Sequence, residues 1–301
     1  MHRTAYLLLL LTALFWGGNA VAGKLAVGHI SPFLLTSVRW VVAVAILVVI
    51  GHRQLRRDWA VARLHLPFLF VLGTAGFTLF NATFYSALQY TSAINVSIEQ
   101  AGMPMLVFLA NFLLFRLGVT WVQILGAVIT LAGVALTASN GDLASLANLQ
   151  VNFGDALMIL AIILYGGYTV ALRFKPQLHW QSLMLVMATS ALISSLPFAL
   201  FEWQRSTMIL PDLQGWLTAI FTGIFPSILS QTFYMRGVEI IGANRASLFI
   251  NAVPIFGTLL SVVILGEIFH MHHAIALALV LGGIWIAERS GRRAEAQTPV
   301  G

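Results

Sequence analysis

Two ionisable side chains stand inside long apolar runs, Arg39 and Glu99. Each lies about six residues from the end of its run, roughly 9 Å deep at the helical rise. Charges at that depth are costly, and they pair, snorkel to the surface or serve transport. Arg39 and Glu99 are therefore expected to pair with each other or to snorkel. The functional alternative is that Glu99 meets a substrate ammonium or carries a proton. Around them the apolar runs carry polar and aromatic side chains at helical spacing. Thr78, Asn81 and Tyr85 fall on one helix face, as do Ser227, Ser230 (or Gln231) and Tyr234. Ser97 and Gln100 precede Pro104, and Ser247 and Asn251 precede Pro254. Trp16 and Asn19 lie in the first run, and Tyr165, Tyr168 and Thr169 in the sixth. Polar groups turn away from lipid, so these faces should line a substrate pocket or bond neighbouring helices. Trp and Tyr also mark membrane interfaces. Pro104 and Pro254 are candidate kinks, and Gly17-Gly18 and Gly166-Gly167 candidate hinges.

Other chemistry finds little support. There is no cysteine, hence no thiol catalysis, thiolate metal site or disulfide. No HExxH, GxSxG or P-loop motif occurs, so neither intramembrane hydrolysis nor direct ATP coupling is indicated. No catalytic residue and no cofactor is expected. His270, His272 and His273 cluster beside Glu267, a weak metal signal, and no metal site is expected. Asn81-Ala82-Thr83 and Asn95-Val96-Ser97 match the glycosylation sequon, but they fall in or at the edge of apolar runs and are discounted.

The elements that must position these residues are membrane helices. Of 301 residues, 59% are hydrophobic and 9% charged, against about 25% charged in soluble domains. Mean hydropathy is +0.90. The net charge of +6 lies between apolar runs and reads as topology, not as a nucleic-acid surface. Ten runs approach the 20 or so residues a span needs: about 5–25, 33–51, 66–89, 93–115, 119–138, 154–174, 181–201, 214–235, 243–266 and 272–289. The breaks between them, including 52–65, read as connections, and the polar tail 291–301 as a disordered cytoplasmic end. Arg3, an apolar run and Ala20-Val21-Ala22 imitate a signal peptide, but the matching segment 154–175 lies in mid-chain, so the first run is read as a span.

The chain repeats itself. Phe84–Pro104 is echoed by Phe233–Pro254, each opening on Phe-Tyr and ending in a proline within the next run. Phe15–Asn19 is echoed by Leu164–Tyr168, and Gly126 and Gly133 by Ala276 and Gly283. Two five-helix repeats are expected, 1–140 and 150–290. With both termini cytoplasmic, thirteen of the sixteen Lys and Arg fall on the cytoplasmic side. An odd number of spans per copy then requires the copies to face opposite ways. Inverted repeats are the architecture of many secondary transporters, with the site near the midplane where copies meet. Spans five and ten lack a polar face. Their small residues suit close packing, as a buttress or a dimer contact.

Phe15–Lys24 (FWGGNAVAGK), the paired break–helix–proline segments and the stretch GANRASLFINAVPIFGTLLSVVILGE, which ends at Gly266-Glu267, together resemble the EamA-type drug/metabolite transporter superfamily. The resemblance covers nearly the whole chain. Within the superfamily the chain looks like the bacterial YddG-type amino-acid exporters. The first copy departs from the pattern: Phe115-Arg116-Leu117-Gly118 stands where a Gly-Glu pair is often found. The resemblance implies an all-α inner-membrane carrier of ten helices, with a central pocket lined by spans one, three, four, six, eight and nine. It implies export of neutral or aromatic amino acids, or related metabolites, by alternating access, as a monomer or homodimer with no nucleic-acid partner. A nucleotide-sugar or phosphometabolite carrier of the same fold is the alternative, and an intramembrane enzyme a more remote one.

Overall fold

The computed structural model describes residues 2–116, 120–142 and 152–297. The tail expected over 291–301 lies outside those residues beyond 297. The protein is all-α, and eight apolar helices among the described residues are long enough to cross a membrane. One of them is the helical stretch Pro32–Ala87, 56 residues long and about 84 Å if straight, far beyond the ~30 Å of hydrocarbon. A tight turn at Arg63–His65 breaks it, and Phe80–Ala87 folds back onto Pro32–Ala62.

Two expectations are corrected. The connection 52–65 is helical as far as Ala62, because Gln54, Leu55, Arg56, Arg57 and Ala60 are good helix formers extending an anchored span. Asp58 in this extension is fixed from outside. Its Oδ2 accepts from the Ser182 hydroxyl (2.6 Å) and the His179 N–H (3.2 Å), capping the helix Trp180–Gln204. The polar tail is likewise helical to Gln297, as a continuation of Met271–Gln297 through Arg, Ala, Glu and Gln.

Helix starts follow local chemistry. Ser92, Asn152 and Asp212 accept from backbone N–H groups two or three residues on. Thr120 and Gln123 form a capping box. Two further starts are capped by distant carboxylates. Glu202 accepts from Phe33 N, Leu34 N and the Ser31 hydroxyl, and Glu267 from Ala93 N and Ile94 N. A carboxylate there satisfies orphan donors and complements the helix dipole.

The repeat is visible in the packing. His2–Leu25 packs on Ser230–Ile241 and Val253–Leu260, and Phe153–Ala171 correspondingly on Phe80–Ala87 and Met103–Phe115. Pro32–Ala62 lies along Trp180–Gln204, and Trp121–Ala138 along Met271–Gln297. Each segment of one half thus rests on the partner half as its counterpart does. The last pair approaches closely, since a Cβ on Gly126 would stand 2.8 Å from Ala287 N and one on Gly133 2.8 Å from Ala276 O. Wide π-type turns recur at Thr74–Leu79 and Phe225–Leu229. The prolines mark breaks in both halves. The helix Ala93–Gln100 stops at Ala101-Gly102 and restarts with Pro104 in its first turn. The 3₁₀ stretch Ser247–Ala252 precedes the helix carrying Pro254.

Candidate functional site

Arg39 sits two turns into Pro32–Ala62 and is only 6% exposed. It neither pairs with Glu99 nor snorkels, which corrects the expectation for both. Its Nε donates to Ser227 Oγ (2.7 Å). Its Nη1 donates to Asn81 Oδ1 (2.9 Å), to Asn19 Oδ1 (3.1 Å) and to the Tyr85 hydroxyl. The acceptors are themselves held. Tyr85 donates to Asn19 Oδ1 (3.0 Å), and Asn81 Nδ2 donates to Phe77 O. Pro226 has no N–H for the carbonyl of Thr222 four residues back, and the Ser227 hydroxyl takes that carbonyl instead (2.8 Å). The wide turn therefore aims Ser227 at Arg39. No acidic group among the described residues makes an ion pair with Arg39.

Aromatic rings pack around this centre. Trp40 stacks on Phe77 at 4.7 Å and 9°, Phe77 meets Tyr168 (5.7 Å), and Tyr165 meets both Tyr168 (5.1 Å) and Phe80 (4.9 Å). Trp16 donates its indole N–H to Pro226 O (3.2 Å) and lies 5.8 Å from the Tyr234 ring. The site residues anticipated from sequence divide into two groups. Thr78, Ser97 and Ser230 are buried and engaged in packing: Thr78 bonds Ala191 O and Ser194, Ser97 bonds Ala93 O, and Ser230 bonds Phe225 O. Trp16, Gln100, Tyr165, Gln231, Tyr234, Ser247 and Asn251 are half-buried. Tyr168 is buried against Gly76. The helices run unbroken through Gly17-Gly18 and Gly166-Gly167, so the bends lie at the proline breaks. Gly17 serves close approach, since a Cβ there would stand 2.8 Å from Val253 O.

Glu99 is fully buried, and neither carboxyl oxygen has a described hydrogen-bond partner. One turn before it, Asn95 joins a polar cluster that sequence reasoning missed. Thr91 donates to Asp155, Asn95 Nδ2 donates to Asn140 Oδ1 (3.2 Å), and His273 Nδ1 accepts from His270 N (3.1 Å). That last bond puts the ring proton on Nε2, which donates to Asn95 Oδ1 (3.1 Å). Among the described residues no group of His, Asp and Glu could hold a metal ion. Asn81 and Asn95, the two sequon asparagines, are buried. Of this cluster's members the sequence had singled out only Asn95, as a sequon, and His273, as one of three clustered histidines.

The two ends of the molecule are packed unequally. At one end Lys24 Nζ donates to Leu88 O (2.9 Å) and Thr91 O (2.7 Å), Glu267 caps Ala93 and Ile94, and every residue of 93–99 is buried. Toward the other end only Met105 of Met103–Phe115 is buried, and none of Ser247–Ala252.

A family model for the EamA-like transporter family matches this chain twice, over residues 3–139 and 152–288. The chain belongs to the EamA-like transporter family. It is a multi-pass carrier of small molecules and not an enzyme. Among its relatives, the uncharacterized transporter YetK of Bacillus subtilis is 26% identical over 94% of this chain and 86% of its own length. The aromatic amino acid exporter YddG of Ancylobacter novellus is also 26% identical, over 97% of this chain and all of its own. A solved crystal structure, 24% identical, shares the fold with a TM-score of 0.66 over 97% of this chain and 99% of that one.

Proposed function

We propose that this EamA-family protein is a secondary transporter that exports neutral or aromatic amino acids, or related small metabolites, across a bacterial inner membrane by alternating access. In this reading Pro32–Ala87 makes two crossings and Met271–Gln297 the last, giving ten spans in two inverted five-helix repeats, 1–140 and 150–290. Both termini and the tail 291–301 are cytoplasmic, as the Lys and Arg distribution requires. The observation that carries the proposal is the unequal sealing of the two ends around the Arg39 centre. One end is locked by Lys24, Glu267 and the buried 93–99 helix, while at the other the 247–252 segment has no buried residue. The sealed end is periplasmic and the loose end cytoplasmic, as expected of an exporter waiting for substrate. Segments of both halves meet at the centre, so a two-state exchange between repeat-related packings opens one end as the other closes.

The pocket is formed by Trp16, Asn19, Asn81, Tyr85, Gln100, Tyr165, Tyr168, Gln231, Tyr234, Ser247 and Asn251, with Pro104 and Pro254 as the bending points. Its aromatic content suits an apolar side chain, and the name of the Ancylobacter relative supports an aromatic one. The test is counterflow in proteoliposomes preloaded with unlabelled amino acid and challenged with labelled neutral, aromatic, basic and acidic ones. Uptake of the neutral and aromatic members is expected. Folded protein that exchanges none of them, but does exchange a nucleotide sugar or phosphorylated metabolite, would replace the substrate class and leave the fold untouched.

A further inference from the structure

The bonds made by Arg39 use only part of its guanidinium. Nε and Nη1 carry all four hydrogen bonds, while Nη2 donates to no described residue and is not walled off by protein. The side chain is nevertheless 94% removed from solvent, given its 6% exposure. Every partner is neutral: two amide oxygens, a phenol and a serine hydroxyl. Guanidinium remains charged at any physiological pH. A buried, permanently charged group without a counter-ion is costly, more so at membrane depth. A structural staple among neutral acceptors does not by itself require a permanent charge. The protein also has buried carboxyls, Glu99 and Asp155, and pairs neither with Arg39.

We propose that Arg39 is the anion subsite of the central pocket and that its free Nη2 receives the carboxylate of the substrate. The inference rests on the transport reading above and deepens it, because it requires every transported solute to bear a carboxylate. Asn19, Asn81, Tyr85 and Ser227 act as positioning residues. They fix the plane of the guanidinium from three other segments, so that Nε and Nη1 are spent on the protein and Nη2 is left for ligand. A guanidinium held in place in this way offers a carboxylate a charge-assisted hydrogen bond from Nη2 with little reorganisation. A single positive charge balances a monoanion and falls short of a phosphate dianion. Lys24, the nearest cation along the first span, is already engaged by two backbone carbonyls. Asn19, Asn81 and Tyr85 lie in the first half and Ser227 in the second, so Arg39 bonds to segments of both halves.

The test compares solutes that differ only in the carboxyl group. Wild-type protein in proteoliposomes is given a labelled aromatic amino acid in counterflow, with competitors of identical side chain: the free amino acid, its primary amide, its decarboxylated amine and its deaminated acid. The carboxylate-bearing competitors are expected to inhibit, and the amide and amine to be at least about tenfold weaker, the usual worth of a charged hydrogen bond. Arg39→Gln, monodisperse and with an unchanged melting curve, should lose counterflow, and Arg39→Lys should retain part of it together with part of the preference for carboxylate-bearing competitors. Equal inhibition by the amide and the acid in wild-type protein overturns the proposal while leaving the transport reading intact, and that arm needs no variant. Stronger inhibition by a phosphorylated solute overturns it in favour of a dianion site. Absence of any wild-type counterflow overturns the transport reading and this inference with it.

Discussion

At the residue scale, the centre of the molecule is built from groups that neutralise one another's hydrogen-bonding demands without cancelling charge. Asn19 Oδ1 accepts from both Arg39 and Tyr85, so loss of its amide would free two donors in a low-dielectric site. Asn19→Leu is therefore expected to lower the melting temperature as well as transport, the cost being about 1–3 kcal/mol for a stranded buried partner. Trp16→Ala should act differently. Its ring is half-buried beside Tyr234, and its single bond to Pro226 O is at the edge of the centre. Transport is expected to fall with little change in stability, and a matching loss of both would assign Trp16 to packing. Glu99 is the remaining question at this scale, a fully buried carboxyl with no donor aimed at it. Under the proposed alternating access, Glu99 is expected to exchange a proton or meet a cation when its surroundings open. Glu99→Gln should abolish the pH dependence of counterflow, and an unaltered pH profile would remove it from the mechanism. The pair expected from sequence, Arg39 with Glu99, could not be excluded by counting depth along a helix. Depth says how far a charge lies from water, whereas partners depend on the helix face and on segments up to 188 residues away.

At the element scale, the difference between the repeats is as informative as their likeness. Glu267 ends its apolar segment and caps the start of Ala93–Gln100, which is well formed and buried. The corresponding place in the first half holds Arg116, in a left-handed conformation at φ 52°, and offers no carboxylate. The matching stretch of the second half is a single helical turn, Ala243–Ala246, followed by the 3₁₀ stretch Ser247–Ala252, which has no buried residue. One end of the carrier is thus latched and the other is not, and Glu267→Ala should weaken the latch. The chain has no cysteine, so Ile94→Cys gives a single reporter. Its labelling by a water-soluble maleimide is expected to rise severalfold in the Glu267→Ala background, and unchanged labelling would deny the latch. The buttress of Trp121–Ala138 and Met271–Gln297 depends on backbone approach. Gly126→Leu would drive a side chain into the backbone at Gly283 and Ala287, and should destabilise by about 1–3 kcal/mol, read as a lower melting temperature. The repeated small residues made close packing legible in sequence, as a buttress or a dimer contact, but not that these two helices pack on each other. The helical extension to Ala62 was not, since Arg53, Arg56, Arg57 and Asp58 read equally as a polar loop until Asp58 is seen capping another helix.

At the scale of the whole molecule, apolar periodicity and internal echo made the helical class and the two halves legible, and the family match falls on those halves. The polar cluster of Thr91, Asn95, Asn140, Asp155 and His273 was not legible, because apart from Thr91 and Asn95, one helical turn apart, its members come from separate segments. The sealed and loose ends were also beyond the sequence, since both are properties of packing between halves. They are the core of the account, which holds that the structure is one of two states of a carrier opening alternately to either side. The most direct test uses two single-cysteine variants, Ala93→Cys at the sealed end and Asn251→Cys at the loose end, in sealed vesicles with and without a transported amino acid. Without substrate, residue 251 should label readily and residue 93 should be protected. During turnover, labelling at 93 should rise as labelling at 251 falls. Changes in the same direction at both positions, or no change at either while transport proceeds, would contradict alternating access in this protein.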